Sequence, residues 1–152
     1  MAKKNTINYI SLMVTYTPKY FKIQELVPPS IYNALGSKSL IVMDARMLYT
    51  ADCLREHFGK PITINNWHKS GKFSQRGFRD NSSVGATYSQ HRYGRALDMD
   101  IKGVTAEEAR IEIVKNRNKF KYITTLESDV SWLHADCRNA LGKNGAIVMV
   151  KP

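Results

Sequence analysis

The stretch Ser89-Gln90-His91-Arg92-Tyr93-Gly94-Arg95-Ala96-Leu97-Asp98 decides the fold of this chain and suggests its chemistry. From Arg95 onward, small or acidic side chains alternate with large apolar ones along the chain. This alternation is typical of a strand with one polar and one apolar face. Asp98 falls on the more polar of these faces. Gly94 allows the backbone to bend sharply just before the strand. We expect this bend to bring His91 over the face that carries Asp98.

A second imidazole lies in the stretch Ser131-Trp132-Leu133-His134-Ala135-Asp136-Cys137-Arg138, which also alternates as a strand does. A lone His near a turn is more often a surface residue than a metal ligand. A buried Asp98 without a partner, however, would cost several kcal/mol, so it needs a cation, donors or water beside it. Two imidazoles and one carboxylate on a rigid sheet are the usual ligand set of catalytic zinc. We therefore predict one zinc per chain, bound by His91, Asp98 and His134.

The composition is that of one ordinary globular domain spanning residues 1–152, with 43% hydrophobic and 24% charged residues. No stretch approaches the ~20 apolar residues of a membrane span. The start of the chain lacks the apolar run and the cleavage site of a signal peptide, so we expect the protein to remain in the cytoplasm of the cell that produces it. Cys53 and Cys137 are expected to be buried thiols rather than a disulfide.

The net charge of +10, from 23 basic and 13 acidic residues, favours a polyanionic partner. Both nucleic acid and the anionic envelope of a bacterium satisfy this condition. The basic residues are spread over the chain, and no known nucleic-acid-binding motif is present. The charge therefore indicates attraction over a long range and leaves the identity of the partner open.

The hydrophobic pattern predicts an α+β fold with a mostly antiparallel sheet and helices packed on one side. Pro29 suits the first turn of a short helix that ends near Gly36, and Asp44 is placed to cap a longer helix that ends at Phe58. Thr105-Ala106-Glu107-Glu108 has the pattern of a capping box. Strands are predicted over 7–16, 62–64, 95–102, 122–126, 131–137 and 146–150.

Between residues 66 and 88 the regular pattern dissolves into Gly, Ser, Asn and Arg. A loop of this length in a compact domain is usually disordered or functional. Because it leads directly into the His91 motif, we expect it to form the wall of a cleft. Arg76 or Arg79 would then bind a substrate carboxylate, for which a bidentate guanidinium is suited. Ser89 is expected to anchor the turn before His91 or the Asp98 carboxylate.

The pattern Ser89-x-His91-x-x-Gly94-x-Ala96-x-Asp98, followed by Trp132-Leu133-His134-x-Asp136-x-Arg138, resembles the two signatures of the family of zinc D-alanyl-D-alanine carboxypeptidases and L-alanyl-D-glutamate endopeptidases. The resemblance extends upstream to Ile62-Thr63-Ile64-Asn65-Asn66-Trp67 and Arg76-Gly77-Phe78-Arg79. This family is related in fold to the amino-terminal signalling domain of hedgehog proteins. A chain without a signal peptide and with the Asn-Asn-Trp stretch is similar to phage-encoded cell-wall peptidases.

The resemblance carries the three metal ligands over directly, but not the general base. Many relatives hold Glu or Asp three residues before the second His ligand, where this chain has Ser131. Glu127 is then the first candidate for the base and Asp129 the second, although both also suit a solvent-exposed turn. Asp136 is expected to support His134 from behind rather than to act as the base. Trp132 would wall the substrate pocket, with core packing as the alternative.

These observations predict a zinc metallopeptidase that hydrolyses an amide bond in the stem peptides of bacterial peptidoglycan, in the manner of a phage endolysin. It would act on the wall after release from the infected cell, as a monomer, with the anionic cell envelope as a partner and without binding nucleic acid. The L-alanyl-D-glutamate bond and the bonds next to D-alanine or diaminopimelate remain open as targets. So do roles in lysis, virion entry and turnover of the wall. The alternative is a catalytically inactive, zinc-stabilised module of the same fold that binds the cell wall.

Overall fold

A computed structural model describes residues 16–81 and 83–152, which form an α+β fold with three helices and one five-stranded sheet. The strand predicted over 7–16 lies outside the described residues, apart from Tyr16. The helices are α1 (Pro29–Leu35), α2 (Ala45–Phe58) and α3 (Ala106–Lys115). The strands are β1 (Ile62–Thr63), β2 (Ala96–Ile101), β3 (Thr125–Glu127), β4 (Leu133–Asp136) and β5 (Val148–Val150).

The sheet is mixed, with the strand order β1-β2-β4-β3-β5. The pairs β1–β2, β2–β4 and β4–β3 are antiparallel, as expected, but β5 runs parallel to β3. Three of the four strand pairs are antiparallel, so the sheet is mostly antiparallel as predicted, and the parallel pair at the β5 edge was not predicted. The parallel pair arises because the chain, after β4, crosses to the far side of β3 and forms β5 at that edge of the sheet. An alternating pattern alone does not distinguish the two directions.

The long helix begins and ends at the residues that the sequence predicts. The side chain of Asp44 accepts a hydrogen bond from the backbone N–H of Arg46 at 2.9 Å, which caps the first turn of α2. Gly59 ends the helix in the left-handed conformation, with φ of 59°. Thr105 and Glu108 form the capping box of α3 as predicted, since each side chain bonds the other residue's backbone N–H.

The two faces of β2 separate the hydrophobic core from the polar site. Leu97 and Met99 are almost fully buried and pack in one cluster with α2 and α3, together with Leu133 and Ala135 of β4. Asp98 points to the opposite face. The helices α2 and α3 thus cover one face of the sheet, and the polar side chains of the site lie on the other face.

Both cysteines, Cys53 and Cys137, are buried free thiols, as expected. Burial raises the pKa of the Cys137 thiol to about 11, so it stays protonated at neutral pH. Over the described ranges, no helix combines the length and the apolar character needed to cross a membrane.

Candidate metal centre and active-site cleft

The central strands β2 and β4 bring two of the predicted ligands face to face. Asp98 lies directly opposite His134 in the antiparallel register of these strands. Cross-strand neighbours on one face have Cβ atoms only about 5 Å apart, so their side chains meet. The pairing between strands that are 36 residues apart in sequence therefore builds the floor of the site.

His91 reaches the same place from a 3₁₀ turn, Gln90–Tyr93, that precedes β2. Gly94 ends this turn with φ of 67°, a conformation that favours glycine. A Cβ at Gly94 would overlap the carbonyl oxygen of Val42 and lie 2.7 Å from the Cα of Met43. The bend predicted from the sequence thus needs glycine for its conformation and also for the close approach of a neighbouring segment.

The three side chains form one buried cluster. The Nδ1 of His134 lies 2.8 Å from one carboxylate oxygen of Asp98, and the Nε2 of His91 lies 3.2 Å from the other. The two imidazole nitrogens are 3.3 Å apart. One potential ligand atom from each residue lies within 4.8 Å of the others. These residues are 1–7% exposed, so water alone does not satisfy them.

The outer nitrogen of each imidazole fixes which nitrogen faces inward with a lone pair. The Nδ1–H of His91 donates to the carbonyl oxygen of Gly77 at 2.8 Å, which leaves Nε2 as the inward acceptor. The Nε2–H of His134 donates to Asp136 at 3.1 Å, which leaves Nδ1 inward. In these tautomers two lone pairs and the Asp98 carboxylate converge. Such a set of acceptors is satisfied either by protons on the imidazoles or by a cation, and it fits a divalent metal.

The pKa shifts within the cluster also indicate that it favours a positive charge. Burial favours the neutral form of Asp98, but the hydrogen bonds with His134 and His91 outweigh burial and lower the pKa of this carboxyl group. For His134, burial opposes protonation, and the contacts with Asp136 and Asp98 outweigh it and raise its pKa to about 9. The site thus attracts positive charge, which protons supply when no metal is bound.

Asp136 supports His134 from behind and is itself held by Arg138. The Asp136 side chain is fully buried, and its carboxylate accepts from the Nε of Arg138 at 2.9 Å and from its Nη2 at 2.5 Å. Burial raises the pKa of Asp136, but the bonds from His134 and Arg138 lower it further than burial raises it. The pair keeps an anion beside the outer nitrogen of His134, which fixes the orientation of the ring.

A cleft of about 590 Å³ opens over this cluster. Among the residues proposed from the sequence, the cleft is lined by the three metal-ligand candidates and by four others, namely Arg79, Ser89, Glu127 and Trp132. Trp132 lines the cleft. Its Nε1–H is buried and has no hydrogen-bond partner among the described residues.

The structure distinguishes the two arginines between which the sequence left a choice. The guanidinium of Arg79 is 10% exposed, contacts Asp98 at 3.5 Å and donates to the hydroxyl of Ser89 at 3.2 Å. Burial lowers its pKa, and Asp98 offsets part of this effect. Arg76 does not line the cleft; its guanidinium forms a bidentate pair with Asp100 and stacks 4.2 Å from the ring centre of Phe73.

The two candidate carboxylates also differ in position. Glu127 ends β3 and lines the cleft with the metal-ligand candidates. Asp129 lies in the turn that follows, with its side chain 63% exposed and paired with Lys151 at 3.2 Å. Ser131 is exposed and lines a different cavity, beside α3. Among these three residues, only Glu127 lies at the wall of the cleft.

Some residues that complete the site were not predicted from the sequence. Arg138 lies in the second motif, two positions after Asp136, and this spacing on one strand face could have revealed the pairing. Gly77 contributes only its carbonyl oxygen, which no sequence pattern reports. The residues Val150–Pro152 line the cleft because β5 lies beside β3, and that placement depends on the topology.

A protein-family model described as Peptidase M15 matches residues 19–136, which include the cluster and most of the cleft. No curated protein and no solved structure matches the chain significantly.

Proposed function

The chain belongs to the peptidase M15 family, and from this we propose that it is a zinc metallopeptidase that hydrolyses an amide bond in the stem peptides of bacterial peptidoglycan. The observation that carries the proposal is the convergence of His91, Asp98 and His134, whose lone pairs meet in a buried cluster at the floor of a cleft. A merely structural role for these residues would not need an open cleft above them.

In this proposal the three clustered residues hold one zinc ion through the inward nitrogens and the Asp98 carboxylate. Bound zinc would supply Lewis-acid polarisation of the scissile carbonyl and activation of water at neutral pH. The chain's own contribution is to orient the ligands. Gly77 and Asp136 bind the outer nitrogens of His91 and His134, which fixes the tautomer of each ring.

Glu127 is proposed as the general base and acid. Amide hydrolysis requires a group that takes a proton from the attacking water and delivers it to the leaving amine. Glu127 lines the same cleft as the metal-ligand candidates, whereas the carboxylate of Asp129 is turned to solvent and paired with Lys151. Asp98 belongs to the ligand set, and Asp136 is engaged by His134 and Arg138.

Arg79 is proposed to bind a carboxylate of the substrate, and Trp132 to wall the substrate pocket. Peptidoglycan stem peptides are rich in carboxylates, and a guanidinium at the cleft wall is suited to bind them. Ser89 holds one nitrogen of Arg79 and so directs the remaining donors. The excess of basic residues would attract the protein to an anionic cell envelope over a longer range.

We further propose that the protein acts as a phage endolysin, as a monomer that accumulates in the cytoplasm of the infected cell and reaches the wall after release. The support is the similarity of its motifs to phage-encoded cell-wall peptidases and its basic charge. The identity of the scissile bond would follow from the products, because each candidate bond releases a different new amine terminus.

The decisive experiment measures the clearing of purified cell walls by the zinc-loaded protein, with and without a chelator. We expect clearing that the chelator abolishes and zinc restores. Mass spectrometry of the released fragments identifies the bond. Replacement of any one of His91, Asp98 and His134 by Ala should lower the bound zinc well below one per chain. Full metal content in one of these variants would remove that residue from the ligand set.

The role of Glu127 is tested with a matched pair of substitutions. Glu127→Gln should retain zinc and wall binding but turn over ~100-fold or more slowly, because loss of a general acid–base group costs ~10²–10⁴ in rate. Asp129→Asn, two residues further along the chain and exposed, is the control and should stay close to wild type. The reverse ranking would assign the role to Asp129.

The alternative is a zinc-stabilised module that binds the cell wall without catalysis. It is favoured by Ser131, which stands where many relatives have a carboxylate. This protein would bind zinc and sediment with walls but would release no new amine termini. Wild-type protein that holds one zinc and leaves wall fragments intact would establish this alternative.

A further inference from the structure

We propose that Arg110 is a positioning residue that holds Glu127 in place through a hydrogen bond to its backbone carbonyl. Arg110 lies on α3, outside the cleft, and contacts neither the metal-ligand candidates nor the cavity above them. The inference deepens the proposed function, since it rests on Glu127 as the general base.

The contacts of Arg110 bridge the turn that follows Glu127. Its Nη1 donates to the backbone carbonyl of Glu127 at 3.2 Å and to that of Val130 at 3.4 Å. One guanidinium nitrogen therefore joins both ends of the segment between β3 and β4. The side chain of Arg110 is 8% exposed, so these bonds form in a largely dry environment, where a hydrogen bond contributes more than it does in water.

Sheet pairing does not hold Glu127 on this side. The antiparallel ladder pairs Thr125 with Asp136 and Leu126 with Ala135, and it does not include Glu127. On its other side, Glu127 pairs with Val150 of β5. Arg110 thus supplies a donor to the carbonyl of Glu127 just where the ladder with β4 has ended.

The burial of Arg110 is not explained by its ion pair alone. Its carboxylate partner is Glu107, whose side chain is 68% exposed, and an ion pair with so exposed a partner contributes little to stability. The Nε and Nη2 of Arg110 contact Glu107, while Nη1 points to the turn. A buried guanidinium is costly unless its donors are used, and this donor is used on the carbonyls of the turn.

The turn needs such a restraint because it contains a strained residue. Asp129 has φ of 59° without being glycine, a conformation that costs roughly 1 kcal/mol or more. The carbonyls that Arg110 binds lie on either side of Asp129. Without Arg110 the turn could relax, and the end of β3 that carries Glu127 would shift with it. A displacement of about 1 Å in a catalytic group can lower the rate ~100-fold.

The test combines Arg110→Met, which removes the donors and keeps an unbranched apolar stem, with Glu127→Gln in a double-mutant cycle. Glu107→Gln is the matched control, because it weakens the ion pair and leaves the bonds to the turn. The readouts are kcat and KM on soluble muropeptides, zinc content, thermal stability, and backbone hydrogen exchange of residues 127–132.

We expect Arg110→Met to lower kcat ~10- to 100-fold with KM and zinc content nearly unchanged, and to speed hydrogen exchange in the turn. In the Glu127→Gln background the same substitution should change kcat by less than about 3-fold, because its effect is exerted through Glu127. Glu107→Gln should retain wild-type kcat. Arg110→Lys, which keeps the charge and one donor group, should recover part of the loss.

An equal loss of kcat in both backgrounds would overturn the proposal, as would full activity of Arg110→Met. If both Arg110 variants lose zinc and their folded structure, Arg110 supports the whole domain and the positioning role is likewise rejected. A fully active Glu127→Gln would instead refute the assignment of the base. Wild-type protein without activity would refute the peptidase function itself, so these failures are distinguishable.

Discussion

Gly94→Ala should destabilise the protein and weaken metal binding more than the same change at Gly103. Both glycines have positive φ, 67° and 73°, so a side chain at either position is strained. They differ in their surroundings, because a Cβ at Gly103 meets nothing within 4 Å whereas a Cβ at Gly94 meets the backbone of Val42 and Met43. Comparison of the two variants therefore separates the cost of backbone strain from the cost of steric overlap.

The magnitudes follow from these two contributions. The left-handed conformation costs a non-glycine residue ~1–2 kcal/mol, which is the full effect expected at Gly103. Overlap with a backbone that cannot move away adds ~1–3 kcal/mol at Gly94, so the total there is about 2–5 kcal/mol. For a chain of this size, each 1 kcal/mol lowers Tm by roughly 2–4 °C.

The substitution at Gly94 should also weaken metal binding. The backbone N–H of Gly94 donates to the carbonyl oxygen of His91, and its own carbonyl accepts from Asp44. Displacement of Gly94 from Val42 therefore moves the turn that carries His91. Zinc affinity, measured by competition with a chelating dye, should fall in Gly94→Ala and stay unchanged in Gly103→Ala.

Urea and thermal unfolding of both zinc-free variants provide the test of stability. The free energy of unfolding should be lower for Gly94→Ala than for Gly103→Ala by at least about 1 kcal/mol. Equal losses of stability, or equal zinc affinities, would show that the close approach of residues 42 and 43 does not constrain the turn.

Three further predictions follow from the site and from the cap of α2. Arg79→Ala should lower activity on cell walls about 30-fold or more, whereas Arg76→Ala, whose partner is Asp100, should affect stability more than rate; comparable kcat/KM values for the two variants would contradict this. Asp136→Asn should weaken zinc binding ~10- to 100-fold in a chelator competition, because His134 loses the anion that orients it. Asp44→Ala should cost ~1 kcal/mol near neutral pH. Hydrogen bonds with Arg46, opposed by burial, lower the folded-state pKa of Asp44, so its contribution is present above the ordinary pKa of 3.8 and is lost as the pH falls through the folded value. The difference in urea stability between wild type and Asp44→Ala should therefore shrink in acid, and a constant difference would contradict this.

The sequence was most informative where its periodicity determines geometry. Alternation along β2 and β4 assigns Asp98 and His134 to one face, because side chains in a strand alternate with a period of two. The capping residues likewise located the ends of α2. Gly94 was identified because so few other residues allow a sharp bend before a strand.

Other parts of the site depend on contacts that no local pattern records. The segment between residues 66 and 88 has no periodicity, so the sequence could not show that the guanidinium of Arg76 pairs with Asp100 while that of Arg79 lines the cleft. The direction of β5 depends on where the chain crosses the sheet. Nothing in the helical pattern of α3 marks Arg110 as buried, since its burial follows from the position of the turn beyond Glu127.

The order of the central strands has a consequence for how the chain folds. Asp98 and His134 become neighbours only after a loop of 36 residues has closed, with α3 and β3 inside it. Contacts between distant residues require this loss of chain entropy before they contribute stability. Zinc that binds only the folded state would then slow unfolding rather than accelerate folding, if the site is assembled after the rate-limiting step. The lifetime of the folded protein, more than the speed with which it forms, should depend on the metal supply.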